Sequence, residues 1–326
     1  MKRREFIAGL LVAASLRQAR AKQPPKVHRI AMVTLPLPIE EITETSSFPF
    51  YRVFFRELRR LGYIEGRNLI VERYPVERPT VELARDMLRS KPDVIFSIGP
   101  WTGFLEQLTT IPIVAFLGDP VGFGFVASLA HPGGNITGVS VDAGPEVESK
   151  RLELLKEAFP QASRVGILAT HPGRSPYWEQ LQKAAQRLGL LLLAPLEGTL
   201  QETEYRRFFE AIAQEHADSV YVGYEVESWV RRRLIIKLAE KNRLPAIYSH
   251  REYVEDGGLM AYTFDDVELW TRAAGCIAQI LNGASPGDIP IYQATKFELL
   301  INVKAANAIG LTIPPSLLAR ADEMIE

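Results

Sequence analysis

The chain has 326 residues, of which 47% are hydrophobic and 24% are charged, and its formal net charge is −1. This composition is ordinary for a soluble globular protein, and the near-neutral charge excludes the strongly basic surface that nucleic-acid binding requires. The single cysteine, Cys276, excludes an intrachain disulfide and a cysteine-based metal site. A chain of this length is expected to form two lobes instead of one compact core.

The first 21 residues have the three regions of a cleavable export signal. Lys2 to Arg4 form a basic start, Ile7 to Leu16 an apolar core, and Ala19 to Ala21 an A-x-A-like cleavage site. The stretch Arg3 to Ile7 resembles the twin-arginine signal, which exports folded proteins across the bacterial inner membrane. The general secretory route, and an amphipathic basic helix on a cytosolic protein, are the alternatives.

Short apolar runs and helical repeats alternate along the first half of the chain. They predict strands at 27–34, 69–74, 93–98, 111–117 and 136–140, with helices near 54–61, at 81–90 and at 121–130. Asp119 and Pro120 have the residue types of a helix start, and Pro132 follows the helix that they would begin. Alternation at this spacing predicts a parallel sheet with right-handed crossovers.

The second half repeats the pattern. It predicts strands at 164–169, 190–193, 219–222, 246–248, 259–262 and 297–301, with helices at 146–159, 175–188, 205–215, 226–241 and 267–281. The two halves look like copies of one architecture. We therefore predict an α/β protein with two Rossmann-like lobes, each built on a doubly wound parallel sheet.

Several long stretches resemble one protein family. They are GDPVGFGFVASLAHPGGNITGVS (118–140), FFRELRRLGYIEGRNLIVE (54–72), SKRLELLKEAFP (149–160), LPAIYSHREYVEDGGLMAY (244–262) and TKFELLINVKAANAIGLTIPPSLLARADEMIE (295–326). These stretches resemble the ABC-transporter solute-binding proteins of the tryptophan/tyrosine-binding type. The resemblance covers essentially the whole chain after the export signal.

The resemblance implies the type I periplasmic binding protein fold, with a hinge of three chain crossings. The first lobe would comprise residues 27–142 and 264–296, and the second residues 143–263 and 297–326. Such a protein would work in the bacterial periplasm as a monomer without a cofactor. It would close around a small solute, an aromatic or apolar amino acid or a related compound, and present it to an ABC permease in the inner membrane.

In open α/β sheets, ligands bind beyond the carboxyl ends of the strands, so the loops there hold the candidate site residues. In the first lobe these residues are Thr34, Ser97, Gly99, Trp101, Thr102 and Asp119. The amides of Trp101 and Thr102, with the hydroxyls of Ser97 and Thr102, would hold a carboxylate; an ordinary capped helix start is the alternative. Asp119 is explained more simply as a helix cap.

The candidates in the second lobe are Thr170, His171, Arg174, Tyr224, Glu225, His250, Tyr262 and Thr263. Glu225 would pair with a ligand ammonium, although an acidic residue also favours a helix start through the helix dipole. Arg174 would clamp a carboxylate, with a plain surface arginine as the simpler interpretation. His171 and the Ala261-Tyr262-Thr263 triplet depart from the family pattern, which leaves the ligand open. The Asp265-Asp266 pair precedes a predicted helix and is most simply explained as its cap.

Enzymatic motifs are absent from the sequence. Gly122-Phe123-Gly124 lacks the third glycine of a dinucleotide fingerprint, and neither a Walker-type lysine loop nor a G-x-S-x-G elbow occurs. The five histidines have no metal-ligand spacing, so no metal is expected. Two alternatives remain: a periplasmic α/β enzyme that uses His171 or His250, and a ligand sensor that partners a membrane receptor.

Overall fold

A computed structural model describes residues 26–34, 37–75, 80–98, 101–141, 145–168, 178–196 and 201–326. The predicted export signal lies outside these residues. Within the described ranges, every helix is too short or too polar to cross a membrane.

The first sheet has six strands in the order β11-β5-β4-β3-β1-β2. Its strands are β1 (His28–Thr34), β2 (Leu69–Pro75), β3 (Val94–Ile98), β4 (Ile113–Leu117), β5 (Ile136–Ser140) and β11 (Tyr292–Gln293). The helices in this part of the chain are α1 (Pro49–Arg60), α2 (Val81–Arg89) and α3 (Trp101–Glu106). Every residue of β3, β4 and β5 is buried, as expected for strands covered on both faces.

Helix α1 illustrates how the sequence builds this layer. Pro49 occupies the first position, where its missing amide costs no hydrogen bond. Tyr51, Phe54, Phe55 and Leu58 recur at helical spacing and are all buried. The Phe54 ring lies 4.7 Å from the Phe96 ring of β3, so the apolar face of α1 packs on the sheet.

The second sheet has seven strands in the order β13-β12-β10-β9-β8-β6-β7. Its strands are β6 (Arg164–Leu168), β7 (Leu191–Leu196), β8 (Ser219–Val222), β9 (Ala246–Tyr248), β10 (Met260–Phe264), β12 (Phe297–Asn302) and β13 (Glu323–Ile325). The helices that follow α3 are α4 (Pro145–Ala158), α5 (Trp178–Leu188), α6 (Glu202–Gln214), α7 (Val226–Val230), α8 (Arg232–Lys241), α9 (Arg251–Glu255), α10 (Asp266–Leu281), α11 (Val303–Ala308) and α12 (Pro315–Leu318). Neighbouring strands run parallel except for β10 and β12, which run antiparallel.

The chain passes between the two sheets three times, as predicted. It leaves the first sheet after β5, returns to it for β11, and goes back to the second sheet for β12 and β13. The two mostly parallel sheets confirm the predicted fold class.

Contact density divides the chain into two compact units. Among the described residues, one unit holds 26–115, 132–138 and 273–289, and the other holds 116–131, 139–272 and 290–326. The predicted lobe limits assign residues 116–131, 139–141, 264–272 and 290–296 to the first lobe, whereas these residues belong to the second unit. The sheet order keeps β4 and β5 together in the first sheet, so the exact lobe limits stay a prediction.

The helix predicted at 121–130 is wrong. This stretch forms turns, in which the amide of Phe123 donates to the Asp119 carbonyl and the amide of Gly124 to the Val121 carbonyl. Gly124 then takes a φ of 75°, which a continuing helix does not allow. Two glycines within the first turn weaken helix propensity enough that the capping residues form only a turn.

The single helix predicted at 226–241 is also wrong, because it is divided into α7 and α8 at Arg231. The predicted strands all form, and their limits differ from the prediction by a few residues at most. Ser175 and Pro176, the predicted cap of α5, lie outside the described residues.

Candidate functional site

Three loops meet at the carboxyl ends of β8, β9 and β10, which are adjacent in the second sheet. Each strand is followed within a few residues by a helix: α7 after β8, α9 after β9 and α10 after β10. Because the three strands run parallel, their carboxyl ends lie along one edge of the sheet. This edge brings together the side chains of Tyr224, His250, Glu252 and Asp266.

Gly223 fixes the loop after β8. Its amide donates to the Leu168 carbonyl at 2.6 Å, and its carbonyl accepts from the Ser249 hydroxyl at 2.5 Å. Both groups lie in the buried interior, where hydrogen bonds hold a loop firmly. Tyr224 and His250, the next residues of the two loops, are therefore held close together.

The rings of Tyr224 and His250 stack, with centroids 4.0 Å apart and an interplanar angle of 28°. Both side chains also reach Asp266, since the Tyr224 hydroxyl donates to Oδ1 at 2.8 Å and His250 Nδ1 lies 3.4 Å from Oδ2. Burial, followed by the Asp266 carboxylate, raises the pKa of Tyr224 well above its ordinary value. The phenol is therefore a permanent donor at physiological pH.

The helix cap predicted for the Asp265-Asp266 pair is provided by Asp265. Asp265 performs the capping, because its Oδ1 accepts from the amides of Val267 and Glu268 at 2.9 and 3.3 Å. Asp266 is the first residue of α10, and its carboxylate is directed to the side chains of the two neighbouring loops. The signal in the sequence was its position directly after a strand, at the sheet edge where ligands bind.

Glu252, on α9, is the second carboxylate at this edge. Its Oε2 accepts from Trp229 Nε1 at 3.2 Å. The face of the same indole receives the Arg232 guanidinium at 4.3 Å, and Arg232 also pairs with Asp256 at 2.8 Å. Trp229 therefore lies between an anionic and a cationic side chain.

His250, Glu252 and Asp266 offer three donor atoms that all lie within 4.8 Å of one another. Their spacing in the sequence gave no metal motif, because the loops that carry them meet only in the folded sheet. The side chain of His250 is 8% exposed, and its Nε2 has no hydrogen-bond partner among the residues that the structure describes. This group carries the chemistry of a small-cation site.

Arg151, on α4, was missed by the sequence analysis. Its side chain is only 2% exposed, with Nε donating to the Tyr262 carbonyl at 2.8 Å and Nη1 to Glu148 at 2.9 Å. It lies near enough to Tyr224 to act against the rise of that pKa. A lone arginine in an amphipathic helix is usually on the solvent face, so periodicity alone did not distinguish it.

Glu225 occupies the position before α7, but its side chain makes no capping hydrogen bond. Burial first, and then the neighbouring Tyr205, Tyr248 and Glu225 side chains, raise the pKa of Tyr253. Glu225 is therefore near the buried tyrosines behind the edge of the sheet. Its assignment to a ligand ammonium stays a prediction.

Tyr262 and Thr263, at the end of β10, have structural contacts. The Tyr262 ring stacks on Phe297 at 5.5 Å and packs against the core of the second unit. Thr263 is 1% exposed, and its hydroxyl donates to the Phe264 carbonyl at 3.3 Å. Phe264 in turn lies 5.1 Å from the Tyr224 ring, which extends the aromatic surface.

Three candidates of the first lobe, Thr34, Ser97 and Thr102, are buried and hydrogen-bonded. Thr34 bonds to the hydroxyl of Tyr51. The Thr102 hydroxyl donates to the Ser97 hydroxyl at 3.1 Å, and both residues are at most 1% exposed. The two hydroxyls are bonded to each other, and their predicted role in holding a carboxylate stays a prediction.

Asp119 accepts a hydrogen bond of 2.7 Å from the Gly122 amide. It therefore stabilises the turn that replaces the predicted helix. Four further candidates lie outside the described residues, as does the side chain of Trp101: Gly99, Thr170, His171 and Arg174.

Comparison with known families gives one match over most of the chain. Residues 55–325 match the model of a family described as ABC transporter substrate binding protein. A Tyrosine-binding protein of Clostridioides difficile strain R20291 is 26% identical over 266 residues, which cover 79% of this chain and 75% of that protein.

Two solved structures are similar over 92% of this chain and all of theirs. A conserved domain protein from Vibrio cholerae O1 biovar eltor strain N16961 superposes with a TM-score of 0.78 at 28% identity. An ABC domain from Streptococcus pneumoniae, crystallised in complex with L-Trp, superposes with a TM-score of 0.75 at 22% identity. At that identity the second likeness shows the fold alone.

Proposed function

This chain belongs to the ABC transporter substrate-binding protein family, and from that membership we propose that it is the extracytoplasmic solute-binding component of an ABC importer. Proteins of the family bind small solutes. The importer role and the periplasmic location are supported by the export-signal pattern of residues 1–21. The permease partner follows from the family alone.

We further propose that the solute is an aromatic or apolar amino acid. The observation that carries this proposal is the convergence of Tyr224, His250 and Asp266 at one sheet edge. The edge combines flat aromatic surfaces, on which an apolar side chain packs, with carboxylates that bind an amine. The tyrosine named for one relative and the L-Trp bound in one structural neighbour agree with this chemistry.

A thermal-shift screen of the purified protein against the natural amino acids tests the proposal. A ligand at 100 times its dissociation constant adds about 2.7 kcal/mol to the folded state, which raises the unfolding midpoint by a few degrees. We expect L-tyrosine or L-tryptophan to stabilise the protein and L-glutamate, whose additional carboxylate meets Glu252 and Asp266, to have no effect.

The screen also separates the alternatives. Recovery of the stabilising amino acid unchanged after prolonged incubation is the expected result, and its consumption would indicate an enzyme. Stabilisation by none of the amino acids would contradict the proposed solute class. Copurification with a receptor instead of a permease would favour the ligand sensor.

A further inference from the structure

The Asp266 carboxylate is held in a fixed orientation by two side chains from neighbouring loops. Oδ1 accepts from the Tyr224 hydroxyl at 2.8 Å, and Oδ2 lies 3.4 Å from His250 Nδ1. An ionised carboxylate accepts about four hydrogen bonds, so about two positions are left for another donor. The side chain is 16% exposed, which lets a solute reach it.

We propose that Asp266, oriented by Tyr224 and His250, binds the ammonium group of the solute; this inference rests on the proposed function. Asp266 then takes the role of ammonium partner that the sequence analysis assigned to Glu225. Tyr224 and His250 are positioning residues that hold the carboxylate at the angle the solute requires.

The charge around Asp266 calls for a cation. Glu252 contributes a second carboxylate within 4.8 Å of the same group. Arginines near this edge already have partners: Arg151 bonds Glu148 and the Tyr262 carbonyl, Arg232 pairs with Asp256, and Arg251 pairs with Glu323. Two carboxylates this close repel each other in a partly buried site, and a bound positive group relieves that repulsion.

His250 gives a second and independent indication of a ligand. The ring is more than nine-tenths buried, yet Nε2 makes no hydrogen bond to any of the described parts of the chain. A buried nitrogen without a partner is costly, so its presence beside two carboxylates calls for an explanation such as a bound group. A polar group of the solute supplies the missing partner.

Aromatic rings surround the carboxylate group. Tyr224 packs against His250 and Phe264, and Trp229 lies 6.5 Å from His250 in an edge-to-face arrangement. Rings of this kind favour an ammonium over neutral polar groups through their negative faces.

Isothermal titration with L-tyrosine and L-tryptophan tests the inference on three proteins: wild type, Asp266→Asn and Asp265→Asn. Asparagine in place of Asp266 retains an oxygen for the Tyr224 hydroxyl and removes only the charge. The affinity is expected to fall about 30-fold or more, the usual effect of removing one partner of a buried charge pair. Asp265→Asn is the matched control, because asparagine caps a helix as well as aspartate does and the affinity should be unchanged.

A second probe reports on the ammonium itself. Wild type should bind 3-(4-hydroxyphenyl)propionate, which is tyrosine without its amino group, far more weakly than L-tyrosine. Asp266→Asn should bind both compounds with similar affinity, because its preference for the amine is lost. Tyr224→Phe leaves the charge of Asp266 and removes the hydroxyl that orients it. This variant should also lose preference for L-tyrosine over the compound without an amine, but by a smaller factor.

The outcomes separate this inference from the proposed function. If wild type binds neither amino acid, the proposed solute class fails and the inference fails with it. If wild type binds and Asp266→Asn binds equally well, or if Glu225→Gln shows the loss instead, only the inference fails. Loss of L-tyrosine binding in EDTA would assign the cluster to a metal ion and would also overturn the inference.

Discussion

The hydroxyl of Tyr224 donates a 2.8 Å hydrogen bond to the carboxylate of Asp266, and this bond joins the loop after β8 to the first turn of α10. The two residues are 42 positions apart in the chain. The bond is partly buried, and an ionised acceptor makes it stronger than a bond between neutral groups. It therefore contributes both to the stability of the second unit and to the orientation of a candidate binding group.

Stability should decline at alkaline pH. Burial raises the pKa values of Tyr224 and Tyr253, so both phenols keep their protons in the folded state at a pH where the unfolded chain releases them. Their contribution is complete below about pH 10, the ordinary tyrosine pKa, and is lost as the pH rises further. Urea unfolding on both sides of that pH measures the decline, and it should be smaller for Tyr224→Phe. An unchanged midpoint would contradict the burial of these phenols.

Arg151→Lys should destabilise the protein by about 1–3 kcal/mol, because lysine cannot reach both Glu148 and the Tyr262 carbonyl. Lysine keeps the positive charge of Arg151, so the loss in the free energy of unfolding reports on hydrogen-bond geometry. The matched control is Arg207→Lys, which alters an exposed pair with Glu204 and should change the free energy of unfolding very little. Equal effects of the two substitutions would show that Arg151 has no special role.

Gly138→Ala should destabilise the fold by about 3 kcal/mol or more. Gly138 has a φ of 142°, and a Cβ atom there would lie 2.1 Å from the Ala115 carbonyl oxygen of the adjacent strand. Gly275→Ala is the control, because nothing lies within 4 Å of its Cβ position and α10 gains about 0.5–1 kcal/mol from the better helix former. Thermal unfolding should shift in opposite directions for the two variants.

Export is predicted to depend on the paired arginines near the N-terminus. Changing both Arg3 and Arg4 to lysine should leave the precursor in the cytoplasm, because twin-arginine export requires the guanidinium pair. Changing Arg17 and Arg20 to lysine keeps the same total charge and should leave export intact. Cell fractionation measures the export of both variants. Normal export of the first variant would indicate the general secretory route.

The sheets were predictable because their strands are short apolar runs rich in β-branched residues. Val94 to Ile98 and Ser219 to Val222 are examples, and both are completely buried. The helix at 121–130 failed because capping residues were given more importance than the two glycines that follow them. Local signals compete at such positions, and only the final hydrogen bonds decide between a turn and a helix.

The sequence predicted the location of the candidate site, but it did not predict all the residues that form it. The rule that ligands bind beyond the carboxyl ends of strands leads to Tyr224 and His250. The same rule applies to Asp266. The sequence analysis did not choose this residue, because a helix cap already explained an aspartate at the start of a helix. Trp229 and Glu252 lie on helices that follow these loops, and their proximity depends on a sheet order that sequence spacing does not reveal.

The three passages of the chain between the sheets have a consequence for synthesis on the ribosome. The first sheet receives its last strand, β11, only from Tyr292 and Gln293, and the second sheet is completed by β12 and β13. A nascent or truncated chain that ends before these residues leaves β5 and β10 as open edges, which can pair with other chains. Both halves of the protein therefore finish folding after translation is nearly complete, and fragments that lack the last segment should aggregate.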